Sequence, residues 1–352
     1  MLENHAEIIY NGTWIFLTEE FKMAGKKGKK IFVRVLICVL VIFIAALIFA
    51  GNYLVNYAIG RRSAPAYDVV PASEVVSEDA AIIEKNRNKI SADTKAWYEG
   101  VEHHVEEIRS SDGLLLKGEI FTQPDSNLWL VAVHGYSSRR QGMFDVARFY
   151  YEKGFNVLAP DNRAHGESEG KWVGMGWLDR KDILLWLDKI IEENPDAKII
   201  LHGISMGGAT VMMCAGENLP ANVKGIVDDC GYTSVWDIFS DELSVLFHLP
   251  SFPLLNVASG IAKLRAGYSF GEASSVKAVS NAKVPMLFIH GEKDNFVHTD
   301  MVHKVYDVCP TAKKKLIVEG AGHGQSYQMD PNLYFNTVFS FLSERCGLEI
   351  EE

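Results

Sequence analysis

Beyond residue 100 the chain alternates short apolar runs of strand length with longer amphipathic stretches, and this alternation limits the fold more than any other feature. Strands separated by helices line up in parallel, with the helices covering both faces of the sheet. The strand candidates are 104–109, 114–121, 128–133, 155–159, 198–201, 223–227, 285–289 and 315–318. The first two, joined through Ser110-Ser111-Asp112-Gly113, read as a hairpin. Helical patterns over 143–153, 178–193, 206–215, 300–308 and 332–345 fill the gaps at a spacing that suits right-handed crossovers. The expected class is α/β with a mostly parallel sheet. Between Tyr232 and Phe270 the alternation stops, and the apolar run from Leu243 to Pro250 has no strand period. An inserted cap over 232–270 accounts for this, and Gly260, Gly267 and Gly271 suggest that it moves.

With 352 residues, 48% hydrophobic and 23% charged, the chain has material for one large domain plus an appendage, and neither disorder nor a polytopic membrane protein is indicated. Residues 1–60 hold six of the 35 Lys/Arg and four of the 45 Asp/Glu, which leaves the remainder at −12. So acidic a body argues against nucleic acid as a partner. Cys38 lies in an apolar segment, while Cys214, Cys230, Cys309 and Cys346 have neither close pairing nor metal-ligand spacing.

From Val35 to Gly60 no residue carries a formal charge. As a helix this segment is about 39 Å long, enough to cross a hydrocarbon core of about 30 Å with some tilt. Lys22, Lys26, Lys27, Lys29, Lys30 and Arg34 precede it, and only Arg61 and Arg62 follow closely. The positive-inside rule therefore sets the N-terminus in the cytoplasm and the main domain outside it. A cleaved signal peptide, with small residues around Ala50-Gly51, is the alternative, but the apolar run continues past that point. Met23-Ala24-Gly25-Lys26-Lys27 also reads as a translation start. The expected layout is a cytoplasmic segment 1–34, a transmembrane helix 35–60, a stalk and docking helix 61–100, the main domain 101–346 and a tail 347–352. Pro65 and Pro71 fall in the stalk, and the stretch from Ser77 to Tyr98 has the apolar positions of a docking helix.

Gly203-Ile204-Ser205-Met206-Gly207 matches G-x-S-x-G, which holds a serine on a tight strand-to-helix turn where glycines relieve crowding. An apolar run of strand type, Ile199-Ile200-Leu201, precedes it, and a small-residue helix from Gly208 follows. A serine hydroxyl needs a base to take its proton during attack. His323, in Gly320-Ala321-Gly322-His323-Gly324 after the last strand candidate, is the candidate base; taken alone it would read as an ordinary loop histidine. The imidazole in turn needs an acid to fix its tautomer. Asp294 closes a strand and turn 29 residues before His323, and the order Ser, Asp, His selects it over Asp228 or Asp229 at the end of the preceding strand candidate. For each of these aspartates the ordinary role is turn formation or capping. Two amides are candidates to hold the oxyanion: that of Met206, after the nucleophile, and that of Tyr136, in the turn His134-Gly135-Tyr136. His134 reads as a support of that turn.

Together the elbow, His134-Gly135-Tyr136, the run Asp161 to Ser168, His290-Gly291-Glu292-Lys293-Asp294 and Gly322-His323-Gly324 resemble the α/β-hydrolase superfamily over 104–345, in family order. The chain looks most like bacterial membrane-anchored serine hydrolases of the esterase-like or serine-aminopeptidase-like kind. The resemblance implies an eight-stranded sheet with a small helical cap after the sixth strand. It also implies a structural role for the turn from Asp161 to Ser168, so that Arg163 and His165 are poor candidates for chemistry, with contact between His165 and substrate left open. Tyr136 at the second oxyanion position is a modest departure.

A triad with two amide donors is acyl-transfer machinery, and a cap rich in Leu, Phe and Val suits an acyl pocket. The expected activity is hydrolysis of a carboxylic ester through an acyl-enzyme. The runner-up is a serine peptidase, aminopeptidase or amidase, favoured if Glu242 or Asp241 is placed to hold a substrate α-amine. A non-catalytic surface binding protein is the reading of another class. The expected partners are a small acyl substrate or short peptide and, through 35–60, the cell membrane. Neither a metal nor an organic cofactor is implied, as no cluster has ligand spacing and no phosphate-binding glycine loop appears.

Overall fold

The computed structural model describes residues 26–61 and 78–350. The segment ahead of residue 26, with the alternative start at Met23, and the stalk over 62–77 lie outside the described residues.

Eight strands form one sheet: β1 (His103–Arg109), β2 (Leu115–Phe121), β3 (Leu128–Val133), β4 (Asn156–Pro160), β5 (Lys198–Ile204), β6 (Val223–Asp229), β7 (Met286–Gly291) and β8 (Lys313–Val318). Their order is β1-β2-β4-β3-β5-β6-β7-β8. The β1–β2 and β2–β4 pairs are antiparallel and every later pair is parallel. The sheet is thus mixed and mostly parallel, the class expected from the alternation.

Alternation of side chains along each strand divides the core in two. In β3, Val131 and Val133 face one side and Leu130 and Ala132 the other. The first face is covered by α4 (Asp179–Glu193), α5 (Met206–Cys214) and α9 (Asp300–Val308), with Trp186 fully buried. The second is covered by α2 (Glu78–Gly100), α3 (Phe144–Tyr151) and α10 (Pro331–Cys346), with Tyr150 and Phe341 fully buried. α2 docks through Ile83, Ile90 and Thr94, and its Asn86 amide donates to the Gln328 carbonyl at 2.8 Å.

Where the alternation failed, two helices sit over the ends of the strands: α6 (Val235–Phe247) and α7 (Leu254–Ala266). Ser234 caps α6 by accepting from the Asp237 amide, and His248, in the left-handed region, ends it. α8 (Ser275–Val279) then leads back to the sheet.

The N-terminal helix α1 (Lys26–Ile59) begins earlier than the expected span over 35–60 and changes character along its length. Large apolar side chains from Ile31 to Phe49 are exposed, whereas Gly51, Val55 and Ile59 are buried against the cap. A Cβ at Gly51 would meet the side chains of Val257 and Ile261 on α7, so glycine lets the two helices cross closely. Burying Val55 and Ile59 stabilises this contact by about 1.5–3 kcal/mol each. Beyond the helix, the Val173 amide donates to the Ile59 carbonyl at 2.8 Å, and Arg61 donates to the carbonyls of Ser168 and Gly166 at 2.6 and 3.0 Å.

Candidate active site

Ser205 stands between the end of β5 and the start of α5 with φ 58° and ψ −118°, a conformation that L side chains rarely adopt. Its neighbours must therefore be small. A Cβ on Gly203 would land on the Gly207 carbonyl, and one on Gly207 would land on the Val133 carbonyl. The Ser205 amide donates to the Asp229 carbonyl at 2.8 Å, fixing the turn to the end of β6.

His323 lies between Ser205 and Asp294. Its Nε2 is 2.8 Å from Ser205 Oγ and its Nδ1 is 2.7 Å from Asp294 Oδ2. Since the carboxylate only accepts, Nδ1 donates, leaving Nε2 to accept from the serine hydroxyl. Asp294 is oriented from several sides: Oδ1 accepts from the amides of Phe296 and Val297 at 3.0 and 2.9 Å, and His290 Nε2 approaches Oδ2 at 3.3 Å. Burial works against the Asp294 carboxylate, but the hydrogen bonds from His290 and His323 outweigh it and hold its pKa at about 2. His290 was not singled out from sequence as a support for the acid, although its position four residues before Asp294 in the same motif was a usable signal.

The rival acids lie elsewhere. Asp228 accepts from the Gly231 amide at 3.1 Å, and Asp229 accepts from the Tyr334 hydroxyl at 2.9 Å. Burial pushes their pKa values up to about 8 and about 6. Neither carboxylate bonds to His323 among the described residues.

Met206 is the first residue of α5, where helix geometry leaves the amide without an intrahelical acceptor. The turn carrying Tyr136 lies against the elbow: a Cβ on Gly135 would come within 3.3 Å of the Ile204 carbonyl and 3.4 Å of Ser205 Cβ. His134 holds the turn, with Nδ1 donating to the Gly135 carbonyl at 2.7 Å and Nε2 accepting from the Asn162 amide at 3.0 Å. Burial lowers its pKa to about 4 and keeps it neutral. His165 accepts from the Ser137 amide at 3.2 Å, and burial lowers its pKa to about 3. Arg163 is clamped between Asp182 and Asp112. These two residues brace the loop and do not line the cavity beside Ser205.

That cavity has a volume of about 120 Å³. Ser205, Met206 and Tyr136 lie at its base; Ile238, Phe239, Leu243 and Phe247 of α6 and Leu255 and Ala258 of α7 form its cap side. Leu54, Tyr57 and Ala58 of α1 also line it, a contribution for which the sequence carried no signal. Glu242 is the one carboxylate among the lining residues, and burial raises its pKa. Cys230 Sγ lies within 4.8 Å of ligand atoms of Asp294 and His323. Burial raises the thiol's pKa far above its ordinary value, keeping it protonated and a poor metal ligand. Both nitrogens of His323 are already engaged.

A family model described as serine aminopeptidase, S33, matches residues 124–238. Among curated proteins, the uncharacterized protein YqkD of Bacillus subtilis is 28% identical over 250 residues, covering 70% of this chain and 81% of its own. Protein bem46 of Schizosaccharomyces pombe is 24% identical over 253 residues, covering 69% and 78%. Among solved structures, the Pyrococcus furiosus esterase Pf2001 superposes with a TM-score of 0.58 at 24% identity, over 73% of this chain and 94% of that one. The Pyrococcus horikoshii acylaminoacyl peptidase superposes with a TM-score of 0.52 at 18% identity, over 72% and 43%. At these identities the structural likeness speaks for the fold alone.

Proposed function

The chain has the α/β-hydrolase fold, and from that premise we propose that it is a member of that superfamily, a membrane-anchored serine hydrolase that cleaves a carboxylic ester through an acyl-enzyme. The observation that carries this reading is the His323 bridge between Ser205 and Asp294, at the base of a largely apolar cavity.

As the Ser205 hydroxyl attacks the ester carbonyl, His323 Nε2 takes its proton and Asp294 stabilises the imidazolium. The oxyanion is held by the Met206 and Tyr136 amides. Collapse expels the alcohol, which receives the proton from His323, and water then attacks the acyl-enzyme by the same base and donors. The apolar length of α1, by the charge asymmetry around it, holds the domain at the outer face of the membrane.

A fluorophosphonate probe tests the assignment on the full chain in detergent. Labelling of the wild type and loss of labelling in Ser205→Ala are expected; equal labelling of both would sink it.

A second reading, an aminopeptidase, draws on Glu242 in the cavity wall, an acid suited to a substrate α-amine. The raised pKa of Glu242 and its apolar neighbours weigh toward the ester. Aminoacyl anilides turned over faster than p-nitrophenyl esters would reverse that order.

A further inference from the structure

We infer that the N-terminal helix is part of the substrate site as well as a tether, and that the pocket is loaded from the membrane with an ester of a long acyl chain. This rests on the serine hydrolase reading and adds a substrate class to it.

The exposed apolar stretch of α1 runs from Ile31 to Phe49. As a helix that is about 28 Å, close to the roughly 30 Å of a hydrocarbon core. At Gly51 the same helix enters the protein, and Leu54 is already on the cavity wall. At the rise of an α-helix, Leu54 lies about 8 Å and Ala58 about 14 Å along the axis from Phe49. The helix is continuous through this stretch, so the pocket sits next to the point where the anchor leaves the bilayer.

The exposed rim of the pocket is apolar. Tyr57 of α1 is 40% exposed and packs edge-on against Phe247 of the cap, while Leu246, another lining residue, is 52% exposed. Tyr53 stacks on Tyr57, giving the junction the aromatic side chains that favour a membrane interface. Nearby in sequence, Val245, Leu249 and Phe252 extend exposed apolar surface along the cap. A soluble substrate gains nothing from such a rim, whereas a lipid keeps its chain out of water as it passes from bilayer to pocket.

The size of the cavity limits how much of such a chain it can enclose. At about 120 Å³ it is somewhat smaller than an engineered apolar cavity of about 150 Å³ that takes a benzene ring. It encloses the first carbons of an acyl group. The rest of a long chain leaves past the exposed rim at Tyr57 and Leu246, toward the membrane.

The test compares p-nitrophenyl butyrate with p-nitrophenyl palmitate, which share a leaving group, using the full chain reconstituted in phosphatidylcholine vesicles. The palmitate ester is expected to be hydrolysed with a kcat/KM at least about tenfold higher, since each added methylene that leaves water favours binding. In Leu54→Asp the ratio of the palmitate to the butyrate value should fall at least about threefold, with phosphonate labelling of Ser205 reporting an intact nucleophile. Palmitate turned over no faster than butyrate by a wild type that labels at Ser205 overturns the inference and leaves the hydrolase reading standing. A wild type that does not label overturns both.

Discussion

The Tyr136 hydroxyl donates to the Ala58 carbonyl at 2.7 Å, fastening the loop proposed to hold the oxyanion to the last turn of the N-terminal helix. Ala58 belongs to the helix end whose carbonyls lack intrahelical donors, so the phenol satisfies an acceptor as well as fixing a loop. Tyr136→Phe keeps the ring and the backbone amide. It is expected to lower kcat about three- to tenfold with a smaller change in KM, and to cost about 1 kcal/mol of stability. Steady-state kinetics and thermal unfolding check this; wild-type kcat would mean that the loop is held without the helix.

Asp294 and Asp228 make a paired test of the acid. Asp294→Asn should lower kcat by about 10⁴ because the amide no longer holds the productive tautomer of His323. Asp228, with its pKa raised to about 8 by burial, is mostly protonated at neutral pH, and Asp228→Asn should retain activity within a few-fold. Comparable losses in the two variants would count against Asp294 as the orienting acid.

Asp179 gives a prediction in pH. Its carboxyl is fully buried, with one oxygen accepting from the Gly176 amide at 2.8 Å and the other without a partner among the described residues. Burial raises its pKa from 3.8 to about 7, against the nearby charge of Arg163. Between those values the folded state binds more protons than the unfolded chain, so this group's contribution to stability falls as pH rises from about 4 to 7 and is level above. Asp294, held at about 2, acts in the opposite sense: its contribution is complete above about 4 and lost as pH falls toward 2. Asp179→Asn should therefore gain on wild type by about 1.4 kcal/mol per pH unit, roughly 4 kcal/mol in all, between pH 4 and 7, read from denaturant midpoints. A constant difference across that range would contradict the assignment.

Gly207 tests the elbow. Its Cβ would occupy the position of the Val133 carbonyl, and neither backbone segment can give way without disturbing β3 or α5. Gly207→Ala is expected to destabilise by about 3 kcal/mol or more and to abolish phosphonate labelling. Gly260→Ala, at a position with nothing within 4 Å of the added methyl, is the contrast and should leave both near wild type.

Local chemistry made much of this protein legible in its sequence. Ser205 is marked by glycines that a tight turn requires, and His323 by the loop after the last strand; both signals lie within a few residues of the group they identify. The sheet was legible because strands and helices differ in period, and the long apolar helix because length and hydropathy are properties of one segment. The short helix α8 was not, since it depends on what it packs against.

Which carboxylate faces His323 is a different kind of question. Asp228, Asp229 and Asp294 all sit at strand ends, and only the stacking of β6 and β7 in the sheet brings one of them within 2.7 Å of the imidazole. The union of α1 with the cap is more distant still: Leu54 and Leu243, nearly two hundred residues apart, line one cavity, through burial that no local pattern records. Sequence by itself determined the sheet class, the strained serine and an apolar helix, because each follows from the steric and solvation demands of neighbouring residues. Residue order favoured Asp294 over its rivals, but only tertiary structure decided that its carboxylate meets His323 and that the helix ends as a wall of the pocket, because both depend on side chains that meet only after the chain has folded.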